Sequence, residues 1–352
     1  MVLFRYIAWH YTKNMLIVLM ALSGLFAGLD FLMTGALLPS FNIQVLYLFS
    51  RWQEALNMLY PLAIVFGGIW TNIAFIKKNA MSAFYALGSS KVDIFKPFLV
   101  VSLALYLIFI LLNFTSFAAA KDRAELLKHG KYDITTNKDL FFKYDNSFVY
   151  IGSLYPYENR LKDLIMFHLK EGRVVEIMSA KEANYNGKEW LAKEVIRKIK
   201  TVSGDGKVQL IIHHMDQLKT LRGYQPRILN SIYEQRSLTL YESFKAKELL
   251  DAQGVRSDKI RANIYERVIL PLFSIALLTI LLFRSPFHAR YINIVSSTAK
   301  ALGITLSIWG LLFALQKMGS NSVIIPEIAT LLPVFLLVVY AICTLNRAKN
   351  QI

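Results

Sequence analysis

The chain has 352 residues, of which 55% are hydrophobic and 18% charged, with a net charge of +16. That is too apolar for one soluble domain and too charged for a purely embedded one, so a polytopic membrane protein with a sizeable soluble part is expected. The single cysteine, Cys343, excludes intrachain disulfides and thiolate metal clusters. Basic loops retained on the cytoplasmic side account for the positive charge. No ladder of interleaved aromatic and basic residues accompanies it, so nucleic-acid binding is not expected.

In chain order, apolar runs long enough to cross a bilayer fall at about 14–38, 56–76, 97–119, 263–283, 299–317 and 323–345. The first lacks a small-residue cleavage site after it and is expected to be a retained span. It contains one acid, Asp30. Ionisable groups inside a membrane are costly and by default functional, which favours a cavity, a gate or an inter-helix contact for Asp30, with an interfacial position as the alternative. Ser23, Ala27, Asp30 and Thr34 share one helical face with it. Gly24 and Gly28 form a GxxxG on the neighbouring face, where helices approach closely. The fifth run repeats the spacing in Gly303, Ser307, Gly310 and Ala314. The two stripes are read as a laterally opening seam or as ordinary packing within the chain.

Between the second and third runs lies NAMSAFYALGSSKVDIFKP, residues 79–97. It is too short and polar to span, yet Met81, Phe84, Tyr85 and Leu87 suggest a short helix with an apolar face. Lys77, Lys78, Lys91 and Lys96 flank or enter it, and the short loops on its side of the membrane hold eleven basic residues against one acid, Asp93. The positive-inside rule places this stretch and both termini in the cytoplasm, and the segment from about 120 to 262 outside it.

That segment opens with a helical extension of the third span, AAAKDRAELLKHGKYD. Strand signals follow in NSFVYIGSLY and LKDLIMFHL, in three strand-like runs within HLKEGRVVEIMSAKEANYNGKEWLAKEVIRKIKTV, and in VQLIIHHMDQL, with turn signals at Glu171-Gly172, Asn186-Gly187 and residues 203–207. Repeated strands and tight turns predict an all-β sandwich or jelly roll. The chain then returns as helix into the fourth span, past Glu266, Arg267 and Pro271. Pairing is the first use expected of Arg267; contact with an anionic headgroup is the alternative. No catalytic or metal-binding residues are expected. His213 and His214 are adjacent in a strand and point to opposite faces. Gly206-Lys207 lacks the preceding glycine of a phosphate-binding loop, since Thr201 stands there. Any ATP-dependent work therefore needs a partner.

In this layout the chain resembles the LptF/LptG permeases of the lipopolysaccharide exporter, with the LptG branch favoured. LDFL (29–32) resembles the acidic end of the family's first span, LYPLAIVFGGIW (59–70) its second span, residues 79–97 its coupling helix ending at Gly88, and YERVILPL (265–272) the entry to its fourth span. The resemblance implies six transmembrane helices with an inserted periplasmic jellyroll-like domain. Residues 1–120 would hold three spans and a coupling helix at about 78–90, residues 121–262 the β domain, and residues 263–352 three further spans. It also implies the inner membrane of a Gram-negative bacterium, an LptB-like ATPase dimer binding ATP and magnesium, a second LptF/LptG-type permease, an LptC-like single-span protein, and lipopolysaccharide as substrate. The coupling face would comprise Ala80, Met81, Phe84, Tyr85, Leu87 and Gly88. The chain departs from the family where Ala80 and Tyr85 replace a common glutamate and a polar residue, and at Met33-Thr34, where many LptG chains carry a lysine. The alternative reading is a non-transporting membrane scaffold whose periplasmic domain recruits envelope proteins.

Overall fold

A computed structural model describes residues 2–129, 137–156, 158–170, 173–202, 208–226, 228–229, 238–252, 254, 256–285 and 293–349. The chain forms two compact units, residues 1–128 with 258–352, and residues 129–257.

Among the described residues of the first unit, six helical segments are long and apolar enough to cross a membrane. Helices α1 (Val2–Met33) and α2 (Phe41–Lys77) lie against each other. Asn14 meets Thr71, Trp52 meets Ser23, and Tyr47 meets Asp30, so the two run antiparallel. Gly67 allows their closest approach, because a Cβ there would lie 2.6 Å from Met15 Cα. That neighbour is backbone and cannot swing away. Gly67→Ala is therefore expected to destabilise this unit by about 2 kcal/mol, read as a lowered unfolding midpoint in detergent.

Helix α3 (Ala80–Ala86) follows, then α4 (Lys91–Asn113), a short 3-10 turn and α5 (Ala120–Lys128). Tyr11 locks α4 to its neighbours. Its hydroxyl donates to the Ile64 carbonyl at 3.0 Å and lies 2.7 Å from the Ser102 hydroxyl. Asn113 donates to the Asn57 side chain at 2.8 Å. Such bonds are worth about 0.6 kcal/mol each within a membrane, so apolar packing holds the helices and the polar pairs fix their register.

The fourth span is broken into α7 (Asp258–Val268) and α8 (Leu272–Arg284); α6 belongs to the second unit. Pro271 has no N–H to offer the Arg267 carbonyl, so the ladder stops there. The next freed carbonyl, Val268, accepts from the Tyr106 hydroxyl at 2.8 Å. Helix α9 (Ile294–Ser320), a π-turn (Glu327–Leu331) and α10 (Leu332–Lys349) complete the unit. The largest departure from expectation is at α2, which begins at Phe41 rather than near 56. Arg51 and Glu54, which precede the apolar run at about 56–76, sit within that helix.

The second unit is a six-stranded antiparallel sheet in sequential order: β1 (Asn137–Tyr144), β2 (Ser147–Tyr155), β3 (Arg160–Lys170), β4 (Arg173–Tyr185), β5 (Trp190–Val202) and β6 (Val208–Thr220). Strand β1 is the one the sequence did not signal. The Asn186-Gly187 hairpin forms as expected. Gly187 adopts φ +97, and the Asn186 side chain accepts from the backbone of Lys188 and Glu189. The turns expected at 171–172 and 203–207 lie outside the described residues. The apolar face of the sheet is covered by Leu221, Tyr224 and Leu229, and α6 (Leu240–Ala252) packs Leu249 against the same core. Trp190, fully buried, donates its indole N–H to the Tyr224 carbonyl at 2.6 Å.

One crease runs across all six strands. In the pairing register Asp139, Gly152, Asp163, Lys181, Glu194 and Asp216 fall on one line. The inward alternation slips by one residue there: Ile151 is followed by Leu154, Leu161 by Leu164, Ala180 by Ala183, and Ala192 by Val195. A slip of one residue normally turns every later side chain to the opposite face. Here Asp139, Asp163 and Glu194 take left-handed backbone with φ +57, +56 and +51, which bends the sheet and returns those side chains to the same core. Gly152 makes room, since a Cβ there would sit 2.8 Å from that of Asp163. A side chain in this conformation costs roughly 1–2 kcal/mol. Glu194→Gly is therefore expected to stabilise the strand unit by up to about 1 kcal/mol, read as a raised unfolding midpoint, and Glu194→Val to lower that midpoint.

Candidate functional site

Helix α3 is built by its two ends. Asn79 adopts φ +56, which halts α2, and asparagine tolerates this conformation better than most residues. Gly88 adopts φ +78 and closes a Schellman cap: Ser89 N–H donates to the Phe84 carbonyl at 3.1 Å and Gly88 N–H to the Tyr85 carbonyl at 2.9 Å. Ser90 and Asp93 then start α4 with a reciprocal capping box. Asp93, the single acid among the basic residues of these short loops, is thus a helix cap.

The expected coupling face does not all point outward. Met81 and Phe84 are buried in the chain's own core with Ile94 and Phe95. The Phe84 ring stands edge-on to Phe75 and Tyr6, at 5.7 and 6.4 Å between centroids. Seven residues of helix make two turns, and the larger apolar side chains were claimed by the bundle behind them. Ala80 and Tyr85 are half-buried, while Ala83, Ala86, Leu87 and Gly88 lie on the outer surface. Leu87 is 80% exposed, and Lys77 and Lys78 stand exposed nearby. The surface offered to a partner is therefore a small apolar tip flanked by two cations.

That tip sits on a braced platform. Lys91 at the start of α4 donates to the Phe283 carbonyl at 2.5 Å, placing a cation at the C-terminus of α8. Asn72 of α2 donates to the Ser285 hydroxyl at 2.8 Å. The ends of α2, α4 and α8 are thereby fixed to one another beside α3. In the sequence Lys91 stands only as one of several orienting charges.

The small-residue stripes divide in two. Ser23 and Ala27 are buried against α2, and Ser23 accepts the Trp52 indole N–H at 3.1 Å. Asp30 lies on the same face, and Thr34 is half-buried at the turn beyond α1. Ser23 and Ala27 on this face are internal packing. The face left open on α1 is the neighbouring one, where an added Cβ at Gly24 or Gly28 would meet nothing within 4 Å. Gly303, Ser307, Gly310 and Ala314 on α9 are all exposed, and Gly303 and Gly310 are equally open.

Asp30 makes an inter-helix contact. It accepts from the Tyr47 hydroxyl at 2.6 Å and lies 3.0 Å from Arg51 Nε. Arg51, with 9% of its side chain exposed, also reaches Glu54 at 2.7 Å and Glu125 of α5 at 2.8 Å. One guanidinium thus joins α1, α2 and α5. The pairing of Arg51 with Glu54 three residues on, and of Tyr47 four residues before, was a helical signal in the sequence. It was missed because α2 was begun too late. Glu266 receives the Gln316 amide at 2.5 Å and lies 3.7 Å from Lys317. Arg267 occupies the last turn of α7, just before the Pro271 break.

Six apolar helices, three before and three after an inserted antiparallel sheet, define a polytopic membrane protein of permease architecture. Residues 5–347 match the family described as lipopolysaccharide export system permease LptF/LptG. The chain belongs to this family, which places it among the permeases of lipopolysaccharide export. No curated protein matches it.

Proposed function

We propose that the chain is one permease of an ATP-driven exporter that extracts lipopolysaccharide from the inner membrane and passes it to a periplasmic bridge. The observation that carries this reading is the α3 tip. A capped two-turn helix, preceded by the exposed Lys77 and Lys78, holds Leu87 into solvent on a platform that joins three membrane helices. A separate LptB-like ATPase, binding ATP and magnesium, docks there, and its closure moves α2, α4 and α8 together. The open glycine faces of α1 and α9 receive the second permease and the lipid, with Gly24, Gly28, Gly303 and Gly310 permitting close approach. Both termini and α3 are cytoplasmic, and the strand unit is periplasmic. Strand β6 has only β5 beside it among the described residues and exposes Leu210, Ile211 and Ile212. That edge suits the start of an apolar path or the pairing of an LptC-like strand. A scaffold that recruits envelope proteins needs neither the tip nor the open faces.

Affinity purification of the tagged chain in mild detergent, followed by mass spectrometry, tests the reading. The exporter predicts a small cytoplasmic ATPase and a second six-span protein. Recovery of envelope proteins alone, with no ATPase even after crosslinking from position 87, would favour the scaffold.

A further inference from the structure

The two helices that connect the membrane unit to the strand unit are anchored by two arginines, and the anchors differ in completeness. Helix α5 enters the strand unit. Arg51 holds it through Glu125, while its remaining nitrogens are engaged by Tyr47, Asp30 and Glu54. Arg123 of α5 adds a 2.5 Å bond to Gln53. Tyr47, Ala124 and Leu127 bury the contact. Each of the three Arg51 guanidinium nitrogens has a partner.

Helix α7 leaves the strand unit. Arg261 reaches Asp258 and Glu327 at 2.5 Å each, and Tyr265 donates to the same Glu327 oxygen at 2.9 Å. Among the described residues, Arg261 Nε and Glu327 Oε2 are buried without a hydrogen-bond partner. So is Oε1 of Gln316, a side chain with no exposure whose amide N–H₂ holds Glu266. Each such orphan costs about 1–3 kcal/mol, and a partly satisfied buried network is the first to rearrange. The carboxylate of the pair starts a π-turn, a geometry that recurs at functional sites.

We propose that α5 is the fixed root of the strand unit and α7 the movable one, with Arg261 and Glu327 as positioning residues whose contact opens and recloses during each transport cycle. The functional clause rests on the exporter reading; the difference in mobility does not. The test uses the full complex in lipid nanodiscs, with spin labels at exposed positions: Lys259 with Ile328 across the α7 contact, and Phe49 with Lys121 across the α5 contact. The expected result is a broad or two-peaked distance distribution for the first pair and a single narrow one for the second. Equal narrow distributions for both would overturn the proposal. A short bismaleimide crosslink between Arg261→Cys and Glu327→Cys is then expected to stop lipid transfer while ATP hydrolysis continues, and one between Gln53→Cys and Arg123→Cys to leave both intact. Equal loss from both locks, or none from the first, would also overturn it. An unlocked chain that transfers no lipid would instead refute the exporter reading, and the distance distributions would still decide the mobility.

Discussion

Arg51→Met is expected to destabilise the membrane unit by about 3 kcal/mol, the lower end for removing one partner of a buried charge network. The change leaves Asp30, Glu54 and Glu125 facing one another without the cation that joins them. The methionine fills the space and cannot offset the repulsion. The lower end applies because the Glu125 side chain is 39% exposed and that carboxylate reaches water. Arg51→Lys is expected to recover little, since one ammonium cannot serve three carboxylates and a phenol with the geometry of a guanidinium fork. Asp30→Asn is the milder change: it leaves Arg51 two carboxylates, and the amide oxygen still accepts from Tyr47. Unfolding midpoints of the three variants in one detergent check the order. A midpoint for Arg51→Met within error of the parent would show that the cluster is a surface decoration.

The second large effect separates a partner contact from a core contact on the same short helix. Leu87→Asp is expected to abolish association with the ATPase while leaving the unfolding midpoint unchanged, because Leu87 touches solvent and its backbone bonds survive. Phe84→Asp is expected to destabilise the membrane unit first, by about 3–5 kcal/mol and with a lowered midpoint, as truncation of a buried aromatic does even before a charge is added. Any loss of ATPase binding in that variant follows from unfolding of the platform. Co-purification and thermal unfolding measured side by side distinguish the two. ATPase retained by Leu87→Asp would move the docking site off the tip.

Much of this architecture was legible because bilayer crossing imposes a length and a composition, and six runs met both. The strand unit was legible through turn chemistry: Asn186-Gly187 needs a left-handed residue, and the structure uses Gly187 for it. What escaped depends on partners distant in sequence. Arg51 acquires meaning only beside Asp30 and Glu125, and Lys91 only beside the carbonyl of Phe283. The crease escaped because three acids in left-handed backbone break the two-residue period that identifies strands. Its trace lies in apolar residues three apart, such as Leu161 and Leu164, at matching places in neighbouring strands. The outward direction of Met81 and Phe84 was misjudged because a short helix between two spans has two candidate partners, and here its own chain took the larger side chains.

The most direct test is ATP-driven removal of lipopolysaccharide from proteoliposomes containing the purified chain with its co-purifying ATPase and permease. The account predicts that labelled lipid leaves the bilayer only when ATP is hydrolysed, crosslinks to the strand unit, and stays in the bilayer with Leu87→Asp. Lipid that remains in the membrane while the intact complex turns over ATP would contradict it.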